Sequence, residues 1–488
     1  MGVGLKKAVT KNYRYIFFAC LPLVVLSGCR SAEGSYYSDL LPCSVQEVSS
    51  DLNTPKNYAD KRNPVIFIHG LMGAVLSSKN ASGSELNVLW GDFAFWSMLN
   101  GCSFDALALP MPKYRCTADD TVQVDGLLLN SRLSCWPISW QLENYQQIIN
   151  WFVSKGYVPE ASVGQADCSC NFYVFYYDWR LGIDENAARL ADFIDEKTQA
   201  AAAARQRCRH AECKKNPAER FDLVGHSMGG LIARYYVQYG RQSAGKYAEP
   251  LPECNWSGAD KVRKVIMIAA PNGGYADTFL ELVNGLQLSW VVPRVPAAVL
   301  GTFVSYYQML PDEALQCVEA SETGRIIDIF DIAQWKRYQW GLLQENADTR
   351  RVAAKMFPDL TEQERYDALC EQLRCLLSRG SRFKLLMAKP MGLPPDPVRF
   401  YILAGASFPT SDKLCVDSRT GAVRVKTYAA GDGKVTLHSA RFELSGEHNI
   451  KASPIVWQGM FALDGAHMGV MRSRLFDLNL SSILDGEQ

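Results

Sequence analysis

The chain has 488 residues, in which 51 Lys and Arg are balanced by 51 Asp and Glu. Hydrophobic residues at 48% and charged residues at 21% exclude a disordered, collagen-like or multi-span membrane chain. A formal net charge of zero also argues against a general nucleic-acid-binding protein, which usually carries a basic excess. The length fits about two to four domains, or one large core with insertions.

The N-terminus has the pattern of a secretory signal. Basic residues precede an apolar run over residues 15–26, which is shorter than the roughly 20 residues of a membrane-spanning helix. Leu26-Ser27-Gly28-Cys29 then resembles the bacterial lipobox, in which the cysteine is lipidated after cleavage. We therefore expect removal of residues 1–28, a lipid on Cys29 and a tether over residues 29–60. This places the protein in a bacterial cell envelope, at the outer membrane, facing the periplasm or the surface. A plain signal peptide with an incidental cysteine is the alternative.

Cysteines are numerous for the length of the chain. Of the 15 cysteines, one is removed with the signal and Cys29 is lipidated, and the remaining 13 lie in a compartment where disulfides are the default. Cys102 and Cys116 could close a small loop. Cys370 and Cys375 lie on a predicted helix with a rise of about 7.5 Å between them, so they should not pair with each other. No cluster has metal-ligand spacing, and we predict neither a metal nor another cofactor.

Short apolar strands alternate with helical segments along the chain. A long Ala-rich helix is predicted over Asn186–Arg207, and Thr361 with Glu364 forms a capping box before another helix, which Gly380 should end. This alternation predicts an α/β protein with a mostly parallel central sheet and helices on both faces. The predicted strands cover residues 64–68, 172–177, 221–224, 262–269 and 398–403.

Two insertions interrupt this rhythm. A lid or interfacial insertion is predicted at about 76–135 and a cap insertion at 275–395. They leave a first part of the core at 61–274 and a second part at 396–488. The first insertion carries Leu89, Trp90, Phe93 and Trp96 at helical spacing. Such a stripe is either packed core or a lipid-facing lid, and Trp90, Phe93 and Trp96 are the lid candidates.

The central motif is Gly225-His226-Ser227-Met228-Gly229, a Gly-x-Ser-x-Gly sequence between a buried strand and a helix. Ser227 should occupy the sharp turn between them. The two glycines are needed because side chains there would collide with the neighbouring strand and helix. The motif predicts a nucleophilic serine, and a tight turn without chemistry is the alternative.

A serine hydroxyl needs an adjacent base, which in turn needs an orienting acid. Both should follow the serine in the order acid, then histidine. His467, near the chain end, is preferred to His438 as the base. Asp432 lies in a Gly-Asp-Gly turn and is preferred as the acid to Asp464, which is too close in sequence to His467.

Two backbone amides should stabilise the oxyanion of the intermediate. The amide of Met228 follows the nucleophile. The second should come from Leu71 in the loop 70–73, named the oxyanion loop below, which follows the first strand. His69 ends that strand and can shape the loop, and His226 is predicted to be structural.

Several segments together resemble the lecithin:cholesterol acyltransferases and their phospholipid:diacylglycerol acyltransferase relatives, here as a bacterial lipoprotein. They occur in order from about residue 61 to 475, ending with the Gly-Asp-Gly turn and the distal His467. They are Pro64-Val65-Ile66-Phe67-Ile68-His69-Gly70-Leu71, Tyr177-Asp178-Trp179-Arg180, Pro271-Asn272-Gly273-Gly274 and Tyr307-Gln308-Met309-Leu310-Pro311.

This resemblance implies an α/β-hydrolase fold with lid and cap insertions. It implies a lipid acyl ester hydrolase or O-acyltransferase that works at a membrane surface through an acyl-enzyme, on phospholipid or neutral lipid esters. Alternatives are a lipase or phospholipase with water as the only acceptor, a peptidase on the same fold, and an inactive lipid-anchored binding protein. The oligomeric state is not indicated by the sequence. By position, the resemblance implies Ser227 as nucleophile, Asp432 as acid and His467 as base. It implies Leu71 and Met228 as oxyanion donors. It also implies a lid region that contains Trp90 and a Cys102–Cys116 disulfide.

The chain also departs from the family pattern. His69 stands where the acyltransferases usually have Pro, and Lys434 replaces a common Thr after the Gly-Asp-Gly turn. These changes leave the predicted triad intact and the identity of the acceptor open.

Overall fold

The computed structural model covers most of the chain downstream of residue 61. It describes residues 35–36, 62–79, 86–91, 104–109, 122–135, 138–142, 145–163, 169–207, 220–245, 249–288, 293–445 and 451–486. The predicted signal segment, the lipidation site and two of the lid candidates fall outside these residues, as do both cysteines of the predicted small loop: Cys29, Phe93, Trp96, Cys102 and Cys116. No helix of the described part is long and apolar enough to span a membrane.

Four sheets contain the sixteen strands of the described chain. Three of these strands have only two residues, Ser35–Tyr36, Leu444–Ser445 and Lys451–Ala452, and the other thirteen are numbered. In chain order these are β1 (Val65–Ile68), β2 (Ala74–Lys79), β3 (Leu86–Trp90), β4 (Val122–Cys135), β5 (Ile138–Leu142), β6 (Phe172–Phe175), β7 (Phe221–His226), β8 (Val262–Ile268), β9 (Val318–Ala320), β10 (Arg399–Gly405), β11 (Phe408–Val416), β12 (Val423–Gly431) and β13 (Gly459–Leu463). The central sheet has the order β13-β10-β8-β7-β1-β6, and all its neighbours are parallel. Two smaller sheets have the orders β4-β2-β3, with β5 beside β4, and β9-β11-β12.

Helices cover both faces of the central sheet. In chain order they are α1 (Gln146–Ser154), α2 (Glu160–Val163), α3 (Ile183–Arg207), α4 (Met228–Tyr239), α5 (Ala276–Asn284), α6 (Ala297–Leu300), α7 (Val304–Gln308), α8 (Ile332–Tyr338), α9 (Ala347–Met356), α10 (Glu362–Ala388), α11 (Leu437–Arg441) and α12 (Arg474–Asp485).

The alternation of side chains along β1 explains why a hydrophobic core lies on each face of the central sheet. Ile66 and Ile68 pack into the core that contains α3 and α4, whereas Val65 and Phe67 pack into the core that contains α1 and α12. A strand covered on both faces must be apolar at every position, and all four of these residues are fully buried. The fold is therefore an α/β-hydrolase fold, as the sequence predicted.

Most of the predicted strands and helices are confirmed, with one clear error in α10. The capping box before this helix is present, since Thr361 and Glu364 bond each other's backbone amides. The expected end at Gly380 is wrong, because the helix continues to Ala388. A Cβ at Gly380 would lie 2.5 Å from the carbonyl oxygen of Tyr307, so the glycine permits close packing of α10 on α7 and does not end the helix.

The first insertion also differs from the prediction where it is described. Residues 86–90, which carry Leu89 and Trp90, form strand β3, so the helical interpretation of this stripe is wrong. The strand is paired antiparallel with β2. Hydrogen bonding to this neighbour outweighs a helical spacing that rested on a short apolar run.

Disulfides are not found where the structure allows a test. Cysteine side chains are described at Cys170, Cys254, Cys317, Cys370, Cys375 and Cys415, and none of them is bonded to another of the six. The expectation that Cys370 and Cys375 do not pair with each other is confirmed.

Candidate active site

The serine elbow has the geometry that its sequence predicts. Ser227 stands between β7 and α4 with a φ of 53°, a value that non-glycine residues rarely adopt. A Cβ on Gly225 would lie 2.5 Å from backbone atoms of Gly229, and one on Gly229 would lie 2.2 Å from the carbonyl oxygen of Ile68. The glycines therefore let β7, α4 and β1 approach closely enough to hold Ser227 in this strained turn.

Ser227 lines a cavity of about 510 Å³ that also holds the other predicted catalytic residues. Asp432 and His467 contribute to its wall, as do Leu71 and the rest of the oxyanion loop. Apolar side chains supply much of the remaining wall, among them Met72, Trp90, Leu128, Leu286, Leu288 and Met468. The cavity thus combines a small polar centre with apolar surroundings, which is typical of a ligand site.

His467 and Asp432 form a direct pair. Nδ1 of His467 lies 2.8 Å from Oδ2 of Asp432 and donates its proton to the carboxylate. With Nδ1 protonated, Nε2 carries the lone pair and can accept a proton. Within the described residues the hydrogen bond of the His467 side chain goes to Asp432 and none joins it to Ser227. Contacts between a nucleophile and its base are often longer before a substrate binds.

The turn around Asp432 holds its carboxylate in place. Oδ1 accepts hydrogen bonds from the amides of Lys434, at 2.9 Å, and Val435, at 2.7 Å. Burial by itself would raise the pKa of Asp432, but the facing imidazole of His467 and these hydrogen bonds together lower it. The carboxylate therefore stays ionised and can orient the imidazole.

The competing acid and base lie elsewhere. Nε2 of His438 faces Asp412 at 3.2 Å, and neither residue lines the cavity. Asp464 is exposed and also lies outside the cavity wall. The structure thus brings Asp432 and His467, and not His438 or Asp464, to the serine elbow.

The two amides predicted to form an oxyanion hole are open. Leu71 lies in the cavity wall, and Met228 begins α4 directly after Ser227. Neither amide donates to another group in the described part of the chain. Two unused donors beside a serine can stabilise a negatively charged oxygen.

His69 and Tyr177 brace the start of the oxyanion loop. Their rings stack with centroids 4.1 Å apart, and the Tyr177 hydroxyl donates to the carbonyl of His69 at 2.6 Å. Nδ1 of His69 donates to the carbonyl of Gly70 at 2.8 Å. Burial lowers the pKa of His69 to about 4, so the ring is neutral at physiological pH.

The segment Tyr177-Asp178-Trp179-Arg180 also contacts the first insertion. Trp179 donates from Nε1 to the carbonyl of Ala74 at 3.0 Å, and its ring contacts Trp90 edge-on. Asp178 and Arg180 pair with each other at 2.7 Å and are both buried. This segment, which in the sequence indicates only a resemblance, therefore supports the oxyanion loop in the structure.

Trp90 lies against the oxyanion loop. It is only 4% exposed and donates from Nε1 to the carbonyl of Met72 at 3.0 Å. Met72 has a φ of 61°, so this hydrogen bond holds a strained turn. A role of Trp90 in a lid stays a prediction.

Two features of the cavity are not predicted by the sequence. Tyr145 bonds both the oxyanion loop and His226, yet it stands alone in sequence and belongs to no motif. Lys434 pairs with Glu281 at 2.9 Å and with Asp277 at 3.5 Å, which makes one wall of the cavity charged. No local pattern links these residues, because the partners lie at least 75 positions apart in the chain.

A parallel sheet with a strand–serine–helix elbow, followed by an acid and a histidine in that order, defines an α/β-hydrolase. The family model for lecithin:cholesterol acyltransferase matches residues 86–418, which is more than half of the chain. The chain therefore belongs to the lecithin:cholesterol acyltransferase family. It is an α/β-hydrolase of the class of enzymes that act on lipid esters. Among curated protein sequences, none matches it.

Several solved structures are similar to most of the chain. The Tle4–Tli4 complex contains a chain 13% identical, with 87% of this chain and 98% of that chain covered and a TM-score of 0.49. Mature lipase BlEst2 of Bacillus licheniformis is 10% identical, with 87% and 93% covered and a TM-score of 0.33. Lipase 1 from Pelosinus fermentans is 14% identical, with 88% and 100% covered and a TM-score of 0.34. At these identities the similarity concerns the fold alone.

Among the described residues, no group of three or more His, Cys, Asp or Glu side chains could hold a metal ion.

Proposed function

We propose that the chain is a serine-dependent lipid acyl ester hydrolase or O-acyltransferase that acts on phospholipid or neutral lipid esters. The observation that carries this proposal is the single cavity shared by Ser227, the Asp432–His467 pair and the oxyanion loop. The open amides of Leu71 and Met228 add the donors that ester chemistry requires.

In the first half of the reaction, Oγ of Ser227 attacks the ester carbonyl carbon and its proton moves to Nε2 of His467. Asp432 stabilises the imidazolium that forms. The amides of Leu71 and Met228 bind the oxyanion. The bond from the carbonyl carbon to the leaving alcohol oxygen then breaks, the alcohol takes the proton from His467, and the acyl group stays on Ser227.

In the second half, a new acceptor attacks the acyl-enzyme. His467 removes a proton from water or from a lipid alcohol, and the acceptor oxygen forms a bond to the carbonyl carbon as Ser227 leaves with the returned proton. Water gives a free fatty acid, and an alcohol gives a new ester. The apolar lining, which includes Leu128, Leu286 and Leu288, supports an acyl chain as the bound part of the substrate.

The test is acyl release from phospholipid vesicles with a labelled acyl chain, with and without an added lipid alcohol. We expect labelled fatty acid or labelled ester from the full chain and none from Ser227→Ala. Ser305→Ala is the matched control, because Ser305 is buried in α7 outside the cavity, and it should keep the activity. Ester formed only with the alcohol identifies transfer, and fatty acid under both conditions identifies hydrolysis. Product that survives Ser227→Ala, or no product at all, contradicts the proposal.

We also propose an envelope location with a lipid on Cys29, which rests on Leu26-Ser27-Gly28-Cys29. A lipid anchor would hold the cavity close to a membrane of substrate. The full chain expressed in bacteria with labelled palmitate should incorporate label and fractionate with membranes. Cys29→Ala should lose both, and retention of label by that variant contradicts the assignment.

A further inference from the structure

A continuous set of hydrogen bonds runs past Ser227 from the oxyanion loop to the loop that carries His467. The amide of Gly70 donates to the hydroxyl of Tyr145 at 2.8 Å. That hydroxyl lies 2.9 Å from Nδ1 of His226, and Nε2 of His226 lies 3.1 Å from the carbonyl oxygen of His467. Every donor and acceptor in the set lies beside the cavity.

The end groups and the neutral His226 ring together fix the direction of every bond in this set. The carbonyl of His467 can only accept, so Nε2 of His226 must carry a proton. The amide of Gly70 can only donate, so the Tyr145 oxygen accepts from it. In a neutral ring that is protonated at Nε2, Nδ1 can only accept, so the Tyr145 hydroxyl donates to Nδ1 of His226. This pattern requires a neutral imidazole. Burial, together with the nearby imidazole of His467, lowers the pKa of His226 to about 3, which keeps the ring neutral.

Packing couples the same residues sterically. A Cβ on Gly70 would lie 2.9 Å from Cβ of Ser227 and 3.1 Å from the Tyr145 hydroxyl. A Cβ on Gly73 would lie 2.7 Å from Cε2 of Tyr145, so the oxyanion loop is folded around this ring. Tyr145 is 3% exposed and His226 is 1% exposed, and neither side chain has room to leave its place.

We propose that Tyr145 and His226 are positioning residues, which hold the oxyanion loop and the backbone of His467 at a fixed separation across the Ser227 elbow. This inference rests on the proposed function. One end of the hydrogen-bonded set is the residue before Leu71, whose amide is one oxyanion donor. The other end is the peptide unit of His467, the base. Loss of the middle of the set therefore loosens both groups relative to Ser227, and a displacement of about 1 Å is enough to slow such a reaction strongly.

The test compares two substitutions that each remove one buried tyrosine hydroxyl. Tyr145→Phe keeps the ring that fills the oxyanion loop and removes the bridging oxygen. Tyr239→Phe is the matched control, because its buried hydroxyl donates to the carbonyl of Leu386 at 3.0 Å and lies outside the cavity. The full chain, both variants and Ser227→Ala are assayed with a soluble short-chain p-nitrophenyl ester. Inhibition by an alkylboronic acid, which forms a tetrahedral anion on a serine, is measured beside kcat and KM.

Tyr145→Phe should lower kcat by about 10–100-fold with KM nearly unchanged, because the substitution affects the transition state more than the bound ester. The inhibition constant of the boronic acid should rise by about the same factor, because that anion also needs the oxyanion amides. Tyr239→Phe should change all three constants by less than about twofold, since a lost hydrogen bond far from the cavity costs stability alone.

The outcomes separate this inference from the proposed function. Ester turnover that survives Ser227→Ala contradicts the proposed function. Turnover that requires Ser227 but is equal in Tyr145→Phe and Tyr239→Phe contradicts the positioning role and leaves the function standing. If Tyr145→Phe does not fold, His226→Leu tests the other half of the set, and its folded fraction is counted by titration with a fluorophosphonate. The proposal is contradicted if His226→Leu has the same kcat and the same affinity for the boronic acid as the unsubstituted chain.

Discussion

His467 donates from Nδ1 to the carboxylate of Asp432 across 2.8 Å, although 35 positions separate the two residues in the chain. Asp432 follows the last residue of β12, and His467 lies in the loop after β13. The hydrogen bond leaves the lone pair on Nε2 of His467, which in the proposed chemistry accepts the proton of Ser227. The proposed chemistry depends on this relationship more than on any other contact.

Replacement of Asp432 should therefore remove most of the activity without unfolding the protein. In Asp432→Asn the amide can no longer fix the imidazole tautomer or stabilise its charge, and we expect kcat to fall by about 10²–10⁴-fold. Asp412→Asn is the control, because Asp412 faces His438 outside the cavity. Steady-state kinetics on a soluble ester decide the comparison, and equal losses in the two variants would show that the wrong pair has been chosen.

Trp90→Phe should slow catalysis on every ester, soluble or membrane-bound. The variant keeps an aromatic ring against Trp179 but loses the hydrogen bond to the carbonyl of Met72 in the oxyanion loop. One such bond is worth about 1 kcal/mol, so kcat/KM should fall about fivefold. Trp340→Phe, which loses a similar bond to the carbonyl of Gly421, serves as the control. A loss with vesicles alone would assign Trp90 to the lid and not to the loop.

The stability of the protein should fall in mild acid in part because of His69. Burial lowers the pKa of this ring to about 4, whereas the unfolded chain binds the proton near 6.5. The unfolded state therefore takes up the proton first. The contribution is fully present above pH 6.5 and is lost as pH falls toward 4, by about 2 kcal/mol at pH 5.

Denaturant unfolding of His69→Asn at pH 8 and pH 5 isolates this contribution. The difference between the unsubstituted chain and the variant must be used, because burial raises the pKa of Asp222 to about 6 and gives the opposite slope. The unsubstituted chain should lose more free energy of unfolding between the two pH values than the variant does. An equal loss in both would mean that His69 is protonated in the folded state.

Lys384→Met should stabilise the protein at neutral pH. Lys384 is 4% exposed, and its Nζ has no hydrogen-bond partner in the described part of the chain. Burial lowers its pKa to about 8 although the carboxylate of Asp312 attracts the ammonium, so near pH 7 the folded protein holds a charge that Asp312 compensates only in part. Since burial outweighs this attraction, replacement with an apolar chain of similar volume should raise the free energy of unfolding by about 1–3 kcal/mol.

The pH dependence of that gain provides an internal check. Between pH 8 and 10.5 the folded Lys384 loses its proton while the unfolded one retains it, so the unsubstituted chain becomes more stable and the gain shrinks. Thermal unfolding of the unsubstituted chain, Lys384→Met and the exposed Lys389→Met at pH 7 and pH 9.5 tests both statements. A destabilised Lys384→Met would indicate that the attraction between the ammonium and Asp312 outweighs the cost of burial.

The parts of the site that the sequence could predict are those with local causes. Gly225 and Gly229 specify the elbow around Ser227 because the close approach of strand and helix leaves no room for a side chain at either glycine. The order of acid and base, the Gly-Asp-Gly turn and a place near the chain end favour Asp432 and His467, and the structure pairs these two side chains. Their catalytic roles stay a prediction. Tyr145 was not predictable, because its contacts to Gly70 and His226 form only when distant segments fold together.

The two errors also have physical causes. Trp90 lies in a strand because hydrogen bonds to β2 decide the conformation of a short apolar run, which by itself suits either structure. Gly380 has the pattern of a helix end, but α10 tolerates this glycine because the carbonyl of Tyr307 leaves no room for a side chain. In both cases tertiary packing overrides a local preference.

The central claim is that Ser227 is the nucleophile, and covalent labelling tests it most directly. The full chain, Ser227→Ala, His467→Ala and the control Ser305→Ala are treated with a fluorophosphonate, and the modified peptide is located by mass spectrometry. We predict a single adduct on Ser227 that is absent from Ser227→Ala, strongly slowed in His467→Ala and unchanged in Ser305→Ala. An adduct on another residue that survives Ser227→Ala, or no adduct on the folded chain, would contradict the proposed chemistry.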